Sequence, residues 1–247
     1  AVWGMKAIYV VCALILVFGI VMTFTLPLAR RRAVQSAASP IGEIVEGVRY
    51  VRSRPDIRLL LLTSIGVIVC VYPFMTFLPS VSASLFGRGA GGYGLLSAAS
   101  AVGALVAGLV VARRSGSHDP WRATILFGFA FALAVLAIGE TPTFAVALVV
   151  VGIAGGMSLA FQSISNSLLL QLSEFRFHGR VQSLVMLAFS GSGIAAYPLG
   201  ALADAIGLRA TFALMGLAAI AIMTAFVVRG RGLAARSVAT STDSVRS

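Results

Sequence analysis

The chain carries seven apolar runs, each near the length a helix needs to cross a bilayer. A hydrocarbon core of roughly 30 Å takes about 20 helical residues. The runs are Ala7–Leu28, Leu59–Pro79, Tyr93–Ala112, Ala123–Gly139, Thr143–Leu168, Val181–Ala203 and Ala210–Val228, the fourth on the short side. Gly and Pro recur inside them, which breaks soluble helices but is common in membrane ones, where neighbours re-satisfy the backbone. Only 11% of residues are charged, against 59% hydrophobic. A soluble domain is about a quarter charged, so too little polar surface remains to cover a water-soluble globule. The expectation is an all-α, polytopic membrane bundle of seven transmembrane helices without strands.

Charge orients the bundle. Sixteen of the 19 Lys and Arg fall in one alternating set of connections: 29–58, 113–122, 169–180 and the tail from Arg229. Arg88, Arg209 and Lys6 make up the other set. This bias predicts a cytoplasmic C-terminus in a plasma or inner membrane. The net charge of +11 is therefore an orientation signal, and nucleic acid is not expected as a partner because a basic footprint needs a contiguous soluble face. Seven spans put the N-terminus outside. Lys6 before Ala7–Leu28 imitates a signal peptide, but the run is too long and Arg30–Arg32 follows as a stop-transfer flank. No exporting signal precedes the first run, so the expectation is a chain preceded by an odd number of helices. An undercounted span or a true N-out protein are the alternatives.

Connection 29–58 predicts a helix of its own. Ser39-Pro40 offers a cap and a first-turn Pro. Ile41, Ile44, Val45 and Val48 share one face, and Pro55 ends it. Two settings suit such a helix: lying in the cytoplasmic interface against membrane lipid, or packing on the bundle. The Ser/Thr/Arg-rich tail 230–247 predicts irregular chain. Two Cys, Cys12 and Cys70, and two His, His118 and His178, are too scattered for a disulfide framework or a metal site. No cofactor is expected. Nor is an enzyme: no nucleophile elbow, zinc motif, phosphate loop or pair of carboxylates within a span is present.

Polar residues within the spans are the candidates for function, because they are costly in lipid and must meet a partner helix or a wet cavity. Ser158, Gln162 and Ser165 recur at i, i+4 and i+7, with Asn166 adjacent. A cargo cavity and interhelical bonds are both open readings for them. The second run adds Thr63, Ser64, Tyr72 and Thr76, with Pro73 placed to kink the helix and free a carbonyl. Gly152-x-x-x-Gly156, Ala104-x-x-x-Gly108 and Gly191-Ser-Gly193 permit close helix contact. The stretch Gly179–Phe212 joins Arg180, the small-faced segment Gly191, Gly193, Pro198, Gly200, and the ending Asp204-Ala-Ile-Gly207-Leu-Arg209. Asp204, the one acid at the end of a span, is expected to form a helix-end lock with Arg209, Gly207 relaxing the turn.

Four segments carry a family resemblance. They are Glu46-Gly-Val-Arg-Tyr-Val-Arg-Ser-Arg-Pro55; Leu78-Pro79; Gly92-Tyr-Gly-Leu-Leu96 with Gly103 and Gly108; and Gly179-Arg-Val-Gln-Ser183 through Pro198-Leu-Gly200 to Asp204 and Gly207. Their order and spacing resemble the C-terminal half of a major facilitator superfamily transporter, in the branch of enterobactin exporters and macrolide efflux pumps. The resemblance implies helices six to twelve of a twelve-helix fold. Residues 1–28 would end the N-terminal half, 29–58 form the inter-half loop, 59–229 the C-terminal six-helix bundle and 230–247 a cytoplasmic tail. It further implies a secondary-active exporter of small amphipathic molecules, working by alternating access with the missing N-terminal half as partner. Protons are the candidate coupling ion, carried by a carboxylate outside this half. The second and fifth spans would line the cavity and the third and sixth the interface between halves, where Gly191–Gly200 echoes the antiporter motif. A seven-span receptor and a non-transporting accessory membrane protein are the alternatives.

Overall fold

A computed structural model describes residues 2–25, 40–114 and 119–246. Arg30–Arg32, the Ser39 cap and His118 lie outside the described residues. The chain divides into two units, Ala1–Ala38 and Ser39–Ser247. The first holds α1 (Val2–Thr25). The second holds α2 (Pro40–Ser53), α3 (Pro55–Val71), α4 (Phe74–Ser80) running into a π-helical turn (Val81–Leu85), α5 (Ala90–Arg114), α6 (Pro120–Gly139), α7 (Phe144–Leu172), α8 (His178–Ile206) and α9 (Leu208–Arg246). Among the described residues no strand occurs. The all-α membrane bundle is thus observed, and six helices are long and apolar enough to cross a bilayer, starting with the composite Pro55–Leu85. In α1 the apolar stretch among the described residues is Ala13–Thr23, so the seven predicted spans meet six that satisfy length and hydropathy together.

Local chemistry sets the helix ends. Pro55 opens α3 after an extended Arg54, a position where its missing N–H costs nothing. Asp119 caps α6 by accepting from the Trp121 N–H at 3.0 Å, with Pro120 in the first turn. That extra turn brings the short fourth run to 20 residues. Thr143 caps α7 through the Val146 N–H. Gly207, at φ 89°, ends α8, a conformation that favours glycine. Asp204 and Arg209 on either side of it are both exposed and form no ion pair with each other; the described ion pairs are Arg122–Asp119, Arg176–Glu174 and Arg180–Glu46. The expected helix-end lock is therefore absent. The break at Gly207, with ψ 153°, takes the two residues off a common helical face. Where irregular tail was expected, α9 continues to Arg246; Ala, Arg and Leu there are good helix formers and Pro is absent.

Within the second unit α5 pairs most extensively with α7, α6 with α7 and α9, and α3 with α9 and α8. Phe74, Phe131, Phe212 and Phe226 are fully buried between them. Burial is uneven. In α5 and α8 only 11% of the span is buried, against 39–50% in the other four, so these two helices turn most of their surface away from the bundle.

The α2 helix packs on the bundle against α8 and α3, one of the two settings that its sequence suits. Gly47, Tyr50 and Val51 are buried, while Val45 and Val48 are exposed. Tyr50 stacks on Phe177 at 3.9 Å and accepts the Glu174 N–H at 3.1 Å. Arg180 reaches Glu46 at 2.8 Å. The aromatic stack and the partner it gives to a backbone N–H hold this face on the bundle, while Val45 and Val48 stay open to lipid or solvent. We expect Tyr50→Ala to raise hydrogen exchange throughout α2. Glu46→Ala should raise exchange less, since the Glu46 carboxylate is half-exposed and its loss leaves the Tyr50–Phe177 stack in place.

Candidate functional site

The second run breaks where Pro73 stands. Pro lacks an N–H and clashes with the preceding turn, so α3 stops at Val71 and the chain turns through Tyr72 and Pro73 before α4 resumes. Tyr72 sits on this break. Its ring lies edge-on to Phe189 at 5.1 Å and to Phe131 at 6.3 Å. Its hydroxyl donates to Gln162 Oε1 at 2.7 Å. One side chain therefore ties the α3–α4 break to α6, α7 and α8.

Tyr72 also separates two cavities. On one side lies a pocket of about 320 Å³ walled by the α3–α4 break, α4, α5 and α7, with Tyr72, Met75, Tyr93, Ser97, Ser100 and Ser158 on its lining. Ser158 bonds its own helix at the Gly155 carbonyl, at 2.9 Å. Ser100 is buried, and its Oγ has no protein partner. The lining is thus aromatic and aliphatic with a few hydroxyls, and no charged side chain belongs to it. On the other side lies a chamber of about 20 Å³ that includes Ser64, Gln162, Ser165 and Asn166. A third, larger hollow of about 580 Å³ runs along α5 and α7, but its lining side chains are all apolar. It offers nothing to orient a solute, and in a membrane acyl chains fill such a groove.

The expected site residues are therefore distributed. Tyr72 and Ser158 reach the pocket; Tyr72, Gln162, Ser165 and Asn166 reach the chamber. Thr76 is exposed and reaches neither. Gly191, Gly193 and Gly200 have open space around them, and Pro198 stands inside α8. The pocket wall on α5 went unread. Tyr93, Ser97 and Ser100 recur at i, i+4 and i+7, the same spacing that singled out Ser158, Gln162 and Ser165 on α7. Among the described residues, no group of His, Cys, Asp or Glu comes together to hold a metal.

Set against known proteins, the chain matches no curated protein and no solved structure. It does match the family description Major Facilitator Superfamily over residues 1–197. That match runs from α1 well into α8, through every wall of the pocket, and the chain belongs to the Major Facilitator Superfamily, a family of membrane transporters acting on small molecules.

Proposed function

We propose that the six-helix unit is the C-terminal half of a secondary-active exporter, and that the pocket around Tyr72 binds part of a small amphipathic cargo such as a siderophore, drug or lipid-like metabolite. The pocket lining carries this reading. An uncharged wall of aromatic and aliphatic groups, with the Ser100 hydroxyl buried and free of a protein partner, suits a solute that is largely apolar with a few hydrogen-bonding groups. The export direction and the cargo classes rest on the resemblance of the Glu46–Pro55 and Gly179–Gly207 segments to efflux transporters.

Alternating access then follows from rocking against an N-terminal half. The sparsely buried α5 and α8 supply the faces for that contact. The Lys and Arg bias supports a cytoplasmic C-terminus. No acid belongs to the pocket lining, so proton coupling, if used, would draw on a carboxylate in the other half.

Transport by the full-length protein in inverted vesicles tests the reading. We expect Tyr72→Phe and Ser100→Ala each to raise the cargo KM by about two- to tenfold, the worth of one hydrogen bond of 0.5–1.5 kcal/mol. Thr76→Ala should leave it unchanged. Unaltered transport of every cargo by the first two variants would take the pocket out of the mechanism.

A further inference from the structure

One face of α2 is left over once the helix has docked. Its inner side is fixed. A Cβ built at Gly47 would meet the Arg180 Cβ at 3.1 Å, and Tyr50 and Val51 are buried. The opposite side carries Val45, Val48, Arg49 and Arg52, at i, i+3, i+4 and i+7, so the four form one stripe. All four are exposed, the valines at 51% and 41%. The ion pairs among the described residues include neither arginine. Glu46, one turn before Arg49, is engaged by Arg180. The stripe therefore sets two branched apolar side chains beside two unpaired guanidinium groups.

Its place in the fold says what it faces. Arg54 alone separates α2 from α3, and the apolar span starts at Pro55. The last turn of α2 thus stands where the chain enters the bilayer. Arg58, exposed at the start of that span, lies within 3.5 Å of the Arg52 carbonyl. Arg229, exposed at the end of another span, reaches the same end of the bundle, since a Cβ at the adjacent Gly230 would stand 3.9 Å from Leu59. The described acid at this entry is Asp56, half-buried in the first turn of α3. Clusters of about four to eight basic residues beside a span attract anionic headgroups. A helix lying in the interface sets its cations at the phosphates and its apolar side chains at the acyl boundary. An acidic soluble partner would use the arginines and leave the valines wet; neutral lipid would take the valines and leave the charge unanswered. We propose that the outer face of α2 docks on anionic phospholipid, Arg49 and Arg52 holding headgroup phosphates and Val45 and Val48 resting on the hydrocarbon edge. This contact stands whether or not the pocket carries cargo.

Hydrogen exchange of the full-length protein in nanodiscs tests the contact without reference to transport. The α2 amides are followed in phosphatidylcholine alone and in a mixture with phosphatidylglycerol. They should exchange more slowly in the anionic mixture, by up to about fivefold for each arginine engaged, and the difference should shrink at high salt. Arg49→Gln combined with Arg52→Gln should abolish the difference. Exchange in phosphatidylcholine should stay as in wild type, because neither side chain holds α2 on the bundle. Arg49→Lys combined with Arg52→Lys should keep the difference, since a headgroup surface answers to charge. Equal exchange of the wild type in the two bilayers overturns the proposal and leaves the face to a protein surface or to water. A difference that survives in the glutamine pair overturns it as well, and moves the lipid contact off this stripe.

Discussion

Gly103→Leu should abolish a stable, monodisperse protein, while Gly94→Leu on the same helix should express and purify normally. An added Cβ at Gly103 falls on the carbonyl oxygen of Gly152, with the Gly152 carbonyl carbon at 2.6 Å. The contact is reciprocal one turn on: a Cβ at Gly156 would approach the Gly103 carbonyl oxygen at 2.8 Å. Both obstacles are backbone, so no rotamer change relieves them and the two helices must separate. In lipid, helix association draws on close packing rather than on a hydrophobic gain. Overpacking a well-packed site costs about 1–3 kcal/mol, more where the backbone has to move, and α5–α7 is the most extensive helix pairing of the unit. Around Gly94 nothing stands within 4 Å, which makes that position the control. Size-exclusion profiles in detergent read the outcome; a normal profile for Gly103→Leu would mean that α5 and α7 do not pack as closely as described.

The same pairing explains how far the residues disclosed the site. Helix existence followed from apolar length, and the break at Tyr72–Pro73 from the missing proline N–H. Those are local causes, written in single residues. The sharing of polar groups between compartments is not local. Ser158, Gln162 and Ser165 lie along one face of α7, but α5 passes Ser158, whereas α3 and α8 pass the chamber residues. One polar stripe thus serves two cavities, a division set by which neighbour crosses at which height. Tyr93, Ser97 and Ser100 carried a readable period, masked by the surrounding Gly, Ala and Leu. For α2 the aliphatic period gave no hint of Tyr50, which gains both a ring stack and an acceptor role on the Glu174–Phe177 turn. Asp204 and Arg209 misled for a backbone reason: a Gly with positive φ between them ends the shared helical face on which the pairing depended.

On α8 the small residues should matter for transport and not for folding. Gly193→Trp and Gly200→Trp are expected to yield protein with wild-type expression and thermal stability but with transport reduced to background. Nothing stands within 4 Å of a Cβ built at either glycine, so the larger side chain meets no obstacle inside the unit. Their neighbours Ile194 and Tyr197 are 78% and 84% exposed. An apolar helix that buries only 11% of its span in its own bundle is disposed to pack on something else. On the proposed mechanism that surface meets the N-terminal half, and Gly193 and Gly200 on either side of Tyr197 leave room for a partner helix to seat against the ring and shift past it. An indole there holds the halves apart, which blocks the change of access without touching the pocket. The contrast with Gly103 isolates the cause: the same kind of substitution destroys the fold where glycine meets backbone within the unit, and spares it where glycine faces outward. Loss of stability in the α8 variants would place their packing inside the unit. Normal transport by both would mean that Gly193 and Gly200 take no part in the contact between halves.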